Sequence, residues 1–186
     1  MSKTFTVILF FLLLQTKQIS AQQNCSCDWL LNKEQILNDA IESQNENSFK
    51  QNLILPDVPT SYCKQEFYYW KAHFFNKFNH LDSFEIYLNL FHSELQIQSC
   101  EVNNLKYNYL NGYYYVKRDL YDSASYYFII AIEQAKKLEQ FQFLAKSYIG
   151  LGLVFDRIMQ PHKSIQYYQQ GILLAEKINE DKIKLS

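Results

Sequence analysis

The segment NGYYYVKRDLYDSASYYF, residues 111–128, contains six tyrosines among eighteen residues, and one small residue precedes each group of rings. The first small residue is Gly112 and the second is Ala124. Two helices approach closely only where one side chain is small, and large rings then fill the space around the crossing. The segment therefore predicts a helical hairpin, with a turn at residues 118–121 and close contact at Gly112 and Ala124.

The pattern recurs at a constant spacing along the chain. Tyrosine occupies positions 87, 127 and 167, and aromatic rings occupy positions 75, 115 and 155. The spacing defines three copies, near residues 65–104, 105–144 and 145–184, each with the apolar periodicity of two amphipathic helices. Such units bury a continuous core by stacking on one another. We therefore predict an all-α solenoid of antiparallel helical hairpins.

The copies resemble the tetratricopeptide repeat, whose signature combines an aromatic residue, Leu-Gly, a second aromatic residue and later small residues. The third copy matches best, with Tyr148, Leu151-Gly152 and Phe155 in that order. The first copy departs most, because Phe84 and Phe91 occupy positions where the family has alanine.

The resemblance covers about 120 of the 186 residues and implies a right-handed solenoid. The 40-residue period exceeds the family's usual length of about 34, so longer helices or longer turns are expected. HEAT repeats share the longer period and are the alternative fold.

Residues 1–21 have the layout of a secretory signal peptide: Lys3, an apolar run from Val7 to Leu14, then Ser20-Ala21. We predict cleavage after Ala21 and export to the periplasm or the extracellular space, with a mature chain that does not span a membrane. A buried helix is the alternative interpretation. Residues 22–62 are predicted to form an N-terminal helical segment and a proline-containing loop, followed by the hairpins over residues 63–186.

Four cysteines are present, and an exported chain favours disulfides. Cys63 precedes the first helix of the first copy and Cys100 follows its second helix, so antiparallel packing predicts a Cys63–Cys100 bridge. Two unpaired thiols are the alternative, and the pairing of Cys25 and Cys27 stays open.

No catalytic signature is apparent: the sequence contains no glycine-rich phosphate loop, no nucleophile elbow and no His-Glu-x-x-His motif. The cysteines and histidines do not recur at metal-ligand spacing. The net charge of −1 does not favour nucleic acid. We therefore expect a non-enzymatic protein with no metal and no cofactor.

The resemblance also implies a groove lined by the first helix of each hairpin. Carried over position by position, the groove residues are Tyr69, His73, Lys77, Lys106, Tyr109, Tyr113, Lys117, Lys146 and Arg157. This basic ladder beside a row of rings is expected to bind a protein or an extended peptide, with an acidic or C-terminal peptide favoured. Alternatively, these lysines and arginines are solvated side chains that favour the helix dipole.

The expected function is that of an exported scaffold for protein–protein or peptide binding. An alternative is the sensory input region of a longer membrane-bound signalling protein, such as a histidine kinase or transcription regulator, because no capping helix is evident after the third copy. Under that alternative the chain is a fragment.

Overall fold

A computed structural model describes Cys27, Leu30, residues 33–55, Asp57 and residues 59–185, with side chains described as far as Asn179. The predicted signal peptide and Cys25 lie outside the described residues. The described part is all-α, as predicted, and contains no strand. Its eight helices are α1 (Glu34–Glu42), α2 (Glu46–Asn52), α3 (Ser61–Lys77), α4 (Leu81–Ile97), α5 (Glu101–Lys117), α6 (Tyr121–Lys137), α7 (Phe141–Arg157) and α8 (Pro161–Leu185). None of the helices in this part is long and apolar enough to cross a membrane.

The helices repeat with the same period as the sequence. Helices α3, α5 and α7 begin at residues 61, 101 and 141, and α4, α6 and α8 begin at residues 81, 121 and 161. Each helix from α3 to α7 contains 17 residues, and only three residues separate consecutive helices. The 40-residue period therefore consists of two 17-residue helices and two three-residue turns.

The turns after α3, α5, α6 and α7 share one backbone geometry, whereas the turn after α4 begins with an extended residue, Gln98, at φ −145°. Asn79, Asp119, Glu139 and Met159 each follow a helix with a φ between 55° and 59°. After α5, the Leu120 amide donates to the Tyr115 carbonyl at 3.0 Å, as in a Schellman motif. Asparagine and aspartate tolerate this left-handed conformation better than other residues with a side chain. The repeated turn reverses the chain and produces a hairpin.

Two aromatic rows of the repeat meet inside the hairpins. One ring comes from the first helix and one from the second, with centroids 5.2–5.4 Å apart and ring planes within 9° of parallel. The stacked pairs are Phe75–Tyr87, Tyr115–Tyr127 and Phe155–Tyr167. The aromatic rings that recur in the sequence therefore form the contacts that hold each hairpin together.

The small residues lie where helices approach most closely, as the opening segment predicts. A methyl group added at Gly112 would come within 2.6 Å of the Phe128 ring, and one added at Gly150 would come within 2.4 Å of it. Phe128 and Ala124 are fully buried. Phe128 of α6 is thus enclosed by a glycine of α5 on one side and a glycine of α7 on the other.

First helices also contact one another along the stack. Contacts join α1 to α3, α3 to α5, and α5 to α7, whereas no pair among α4, α6 and α8 is in contact within the described residues. Packing of consecutive helices is consistent with a helical repeat. The shared side of α1, α3, α5 and α7 is called the first-helix face below.

The predicted Cys63–Cys100 bridge is wrong. Cys63 is bonded to Cys27, with a Cα–Cα distance of 5.1 Å. Cys100 is also disulfide-bonded. The Cys27–Cys63 bond joins residues 36 apart in sequence and stabilises the fold by about 3–4 kcal/mol on the chain-entropy model.

The reason lies in the direction of side chains around α3. The side that faces the end of α4 is occupied by Ser61 and Gln65: the Ser61 hydroxyl donates to the Glu94 carboxylate at 2.8 Å, and the Gln65 amide donates to the Gln98 carbonyl at 2.7 Å. Cys63 is two residues from each, which is about 200° around the helix. It therefore points away from α4, toward the segment that contains Cys27.

Candidate functional site

The first-helix face carries two rows of charged side chains. Glu66, Lys106 and Lys146 form the upper row, at one repeat position of α3, α5 and α7. Lys77, Lys117 and Arg157 form the lower row, eleven residues further along the same helices. Eleven residues correspond to three turns plus about 20°, so both rows lie on the same side.

The upper row contains a buried ion pair. Lys106 Nζ lies 2.6 Å and 2.8 Å from the two carboxylate oxygens of Glu66, and the two side chains are 10% and 8% exposed. Lys106 Nζ also lies 4.9 Å from the centroid of the Tyr69 ring. The Lys106 charge is therefore neutralised by Glu66 inside the protein and is not accessible to a ligand.

Lys146 is the third member of this row and has no such partner. Within the described residues it forms no ion pair and no hydrogen bond, and its ammonium lies 5.8 Å from the Phe143 ring centroid. Burial lowers the pKa of Lys146. The nearby Glu42 carboxylate opposes this effect on the pKa of Lys146, but Glu42 itself bonds Lys77 at 2.9 Å. Lys146 is a half-buried cation without a carboxylate.

Aromatic side chains of α3, α5 and α7 form a layer of contacting rings on the first-helix face. The ring centroid of Phe143 lies 6.3 Å from that of Tyr69 and 5.6 Å from that of Tyr109. The ring centroids of Tyr109 and Tyr113 are 5.2 Å apart. Tyr69 and Tyr109 are only 3% and 5% exposed, and burial raises the pKa of both phenols. Tyr69, Tyr109 and Phe143 form the floor of the face, whereas Tyr113 also lines the cavity described below.

Phe143 is the member of this layer that the repeat does not indicate. The equivalent positions in the other copies are Cys63 and Asn103, so no aromatic row marks it in the sequence. The resemblance instead placed Ile149 in register with Tyr69 and Tyr109.

His73 belongs to the same layer. Its ring stacks on Tyr69 at a centroid distance of 5.9 Å, and its Nδ1 atom is sealed from solvent without a hydrogen-bond partner in the described part of the chain. Burial lowers the pKa of His73 to about 3, and the charges of Lys146 and Lys77 act in the same direction. The imidazole is therefore neutral at physiological pH.

Replacing His73 by phenylalanine is expected to remove part of the acid sensitivity of folding. The pKa is about 3 in the folded chain and about 6.5 when unfolded, so between these values the unfolded chain binds more protons. Folding stability therefore falls as the pH decreases through this window, by up to about 1.4 kcal/mol per pH unit. Urea unfolding of parent and His73→Phe at about pH 7 and about pH 4.5 measures the difference. The exposed His162→Phe serves as control, and equal losses in the parent and in His73→Phe would contradict the assignment.

The lower row opens into a cavity of about 540 Å³. Cations from three successive hairpins line it together with turn residues and apolar side chains. The lining residues are Asn76, Lys77, Asn79, Leu81, Tyr113, Val116, Lys117, Asp119, Leu153 and Arg157. The volume falls in the range of small-molecule and side-chain pockets.

The three cations that line the cavity differ in their ion-pair and hydrogen-bond partners. Lys77 pairs with Glu42, and Lys117 donates to the Asn79 side-chain oxygen at 2.7 Å. Burial lowers the pKa of Lys117. Arg157 is exposed and makes no hydrogen bond or ion pair with the residues that the structure describes. The cavity therefore keeps an excess of positive charge.

Asp119 is the carboxylate in the cavity lining, and it accepts a hydrogen bond of 2.6 Å from the Tyr121 hydroxyl. Asp119 and Asn79 are the residues with positive φ in their turns, and neither was among the predicted site residues. Their equivalent positions in successive copies of the repeat were the available signal in the sequence.

The structure thus divides the predicted groove residues. Lys77, Tyr113, Lys117 and Arg157 line one open cavity. Tyr69, Lys106 and Tyr109 are buried, whereas His73 and Lys146 are half-buried. Among the described residues, no group of three or more histidine, cysteine or acidic side chains is placed to hold a metal ion.

Comparison with protein-family models gave no match, and neither did searches of curated proteins and of solved structures.

Proposed function

We propose that this protein is an exported, non-enzymatic repeat scaffold of the tetratricopeptide type, which binds an extended acidic segment of another protein on its first-helix face. The observation that carries the proposal is the cavity lined by Lys77, Lys117 and Arg157, one cation from each hairpin. A site assembled from three hairpins offers several cations to an acidic side chain of the ligand.

The tetratricopeptide assignment rests on the repeat unit. Each unit is a hairpin of two helices with a three-residue turn, and first helices contact first helices. A glycine approaches a ring within the second and third hairpins: Gly112 against Phe128 and Gly152 against Tyr168. These features favour an array of the tetratricopeptide kind over a HEAT array.

Export is supported by the cysteines. Cys27, Cys63 and Cys100 are all disulfide-bonded, and the described part of the chain has no free cysteine. Structural disulfides persist in oxidising compartments such as the periplasm and the extracellular space. This agrees with the signal-peptide interpretation of residues 1–21.

An anionic ligand is favoured by the balance of charge in the cavity. Of the three cations that line the cavity, Lys77 is paired with Glu42, and the Asp119 carboxylate already accepts a hydrogen bond from Tyr121. Lys117 and Arg157 form no ion pair with the described residues. Charge-assisted hydrogen bonds from arginine and lysine to a carboxylate are shorter and stronger than neutral ones. The apolar lining from Leu81, Val116 and Leu153 offers contact to the stem of the same side chain.

Fluorescence anisotropy with labelled peptides tests the proposal. The probes are peptides of about ten residues that alternate serine with glutamate, glutamine or lysine. We expect the glutamate peptide to bind most tightly, and Lys117→Met/Arg157→Met to weaken it by about fivefold or more. The control Lys137→Met/Lys163→Met removes the same charge from exposed positions of α6 and α8. Equal binding of the three peptides, or equal loss in both double variants, would refute the proposed site.

A further inference from the structure

Within the described residues, the two cations of α7 are the ones on the first-helix face that form neither an ion pair nor a hydrogen bond. In the upper row Glu66 neutralises Lys106, and Lys146 remains. In the lower row Glu42 pairs with Lys77 and Asn79 accepts from Lys117, and Arg157 remains. Both cations without a side-chain partner therefore belong to one helix.

The separation of these charges follows from the geometry of α7. Lys146 and Arg157 are eleven residues apart in one uninterrupted helix, which is about 16 Å along its axis at about 1.5 Å per residue. Their azimuths differ by about 20°, so both lie on the same side of the helix. A ligand that reaches both must run along α7.

Lys146 also marks an unsatisfied polar site. It is half-buried, so part of its hydration is lost without a compensating carboxylate. The nearby His73 has a buried Nδ1 atom without a hydrogen-bond partner among the described residues. The charge of Lys146 contributes to the lowered pKa of His73. An incoming anion at Lys146 would replace the lost hydration, just as Glu66 does for Lys106 one repeat earlier.

We infer that the bound segment carries two carboxylates about 16 Å apart, one for Lys146 and one for Arg157. This inference rests on the proposed function and specifies its ligand. An extended chain advances about 3.3–3.6 Å per residue, so the two acidic residues are separated by four to six positions.

Peptides with two glutamates at different spacings test this inference. Each is about twelve residues of serine and glycine, acetylated and amidated at its ends, with the glutamates one, five or nine positions apart. All three carry the same net charge. We expect spacing five to bind about tenfold more tightly than the others by anisotropy competition, and a glutamine version to bind more weakly than all of them.

The outcomes separate the inference from the proposed function. Equal affinity at the three spacings, each above that of the glutamine peptide, would overturn the spacing rule and leave an acidic groove. Binding no tighter than that of the glutamine peptide at every spacing would overturn both.

Single substitutions locate the two anchors. Lys146→Met and Arg157→Met are each expected to abolish the preference for spacing five while leaving weak binding of every peptide. Lys137→Met, at an exposed cation paired with Glu101 on the adjacent hairpin surface, should keep the preference. A preference that survives Lys146→Met would show that Lys146 is not an anchor, and the inference would fail.

Discussion

Replacing Glu66 by alanine is expected to destabilise the fold by about 3–5 kcal/mol, because it leaves the buried Lys106 ammonium without its carboxylate. Both oxygens of Glu66 lie within 2.8 Å of that ammonium, and neither side chain is more than 10% exposed. Breaking a buried pair is costly because the remaining charge has neither water nor a counter-ion. Urea unfolding followed by circular dichroism gives the change in free energy.

The control is removal of both charges at once. Glu66→Met/Lys106→Met keeps apolar volume in place of the pair and should change stability by less than about 1.5 kcal/mol, since buried ion pairs are often replaceable by hydrophobic residues. A loss in the double variant as large as in Glu66→Ala would mean that packing, and not the unpaired charge, causes the effect. A loss below about 1 kcal/mol in Glu66→Ala would show that Lys106 reaches water on its own.

Replacing Gly150 or Gly112 by alanine is expected to destabilise the stack, although alanine favours a helix by about 1 kcal/mol over glycine. The added methyl would lie 2.4 Å or 2.6 Å from the Phe128 ring, which is fully buried and cannot withdraw. Overpacking of this kind costs about 1–3 kcal/mol for one site. In the double variant both added methyl groups clash with the Phe128 ring. Its loss in free energy of unfolding should exceed the sum of the losses in the two single variants.

Two further variants establish the cause. Ser147→Ala is a matched control on α7, because its buried hydroxyl has no hydrogen-bond partner among the described residues and its Cβ is already accommodated; no loss of stability is expected. Phe128→Leu introduced into Gly112→Ala/Gly150→Ala should recover stability, whereas in the parent it should lower it. Additive effects in this cycle would exclude a clash at Phe128 as the reason.

Much of the fold was predictable from the sequence because the repeat is a local pattern. Tyr115 and Tyr127 are marked by the aromatic residues at their equivalent positions in the other copies, and they form a stacked pair. Gly112 is marked by the same recurrence, and it lies against a buried ring. Helix formation depends on neighbouring residues, so a repeated local pattern specifies the helices and their turns.

The candidate site was predictable only in part. Lys77, Lys117 and Arg157 share one cavity because they share one position of three equivalent helices. Lys106 shares a repeat position with Lys146 but is buried in an ion pair, because the residue at that position one repeat earlier is Glu66. The pairing of Cys63 was missed because Cys63 is two residues from Gln65, which faces the end of α4. Two residues correspond to about 200° around α3, so Cys63 points away from Cys100 and bonds Cys27.

By itself, the sequence determined an all-α repeat with a constant period, the positions of its turns, and the two rows of charged residues on the first helices. Only the tertiary structure decided which of those charges are neutralised, which rings close the floor, and which cysteine meets Cys63. The physical reason is that periodicity reports the direction of each side chain relative to its own helix. Burial and ion pairing depend on which side chain of a neighbouring helix occupies the same space.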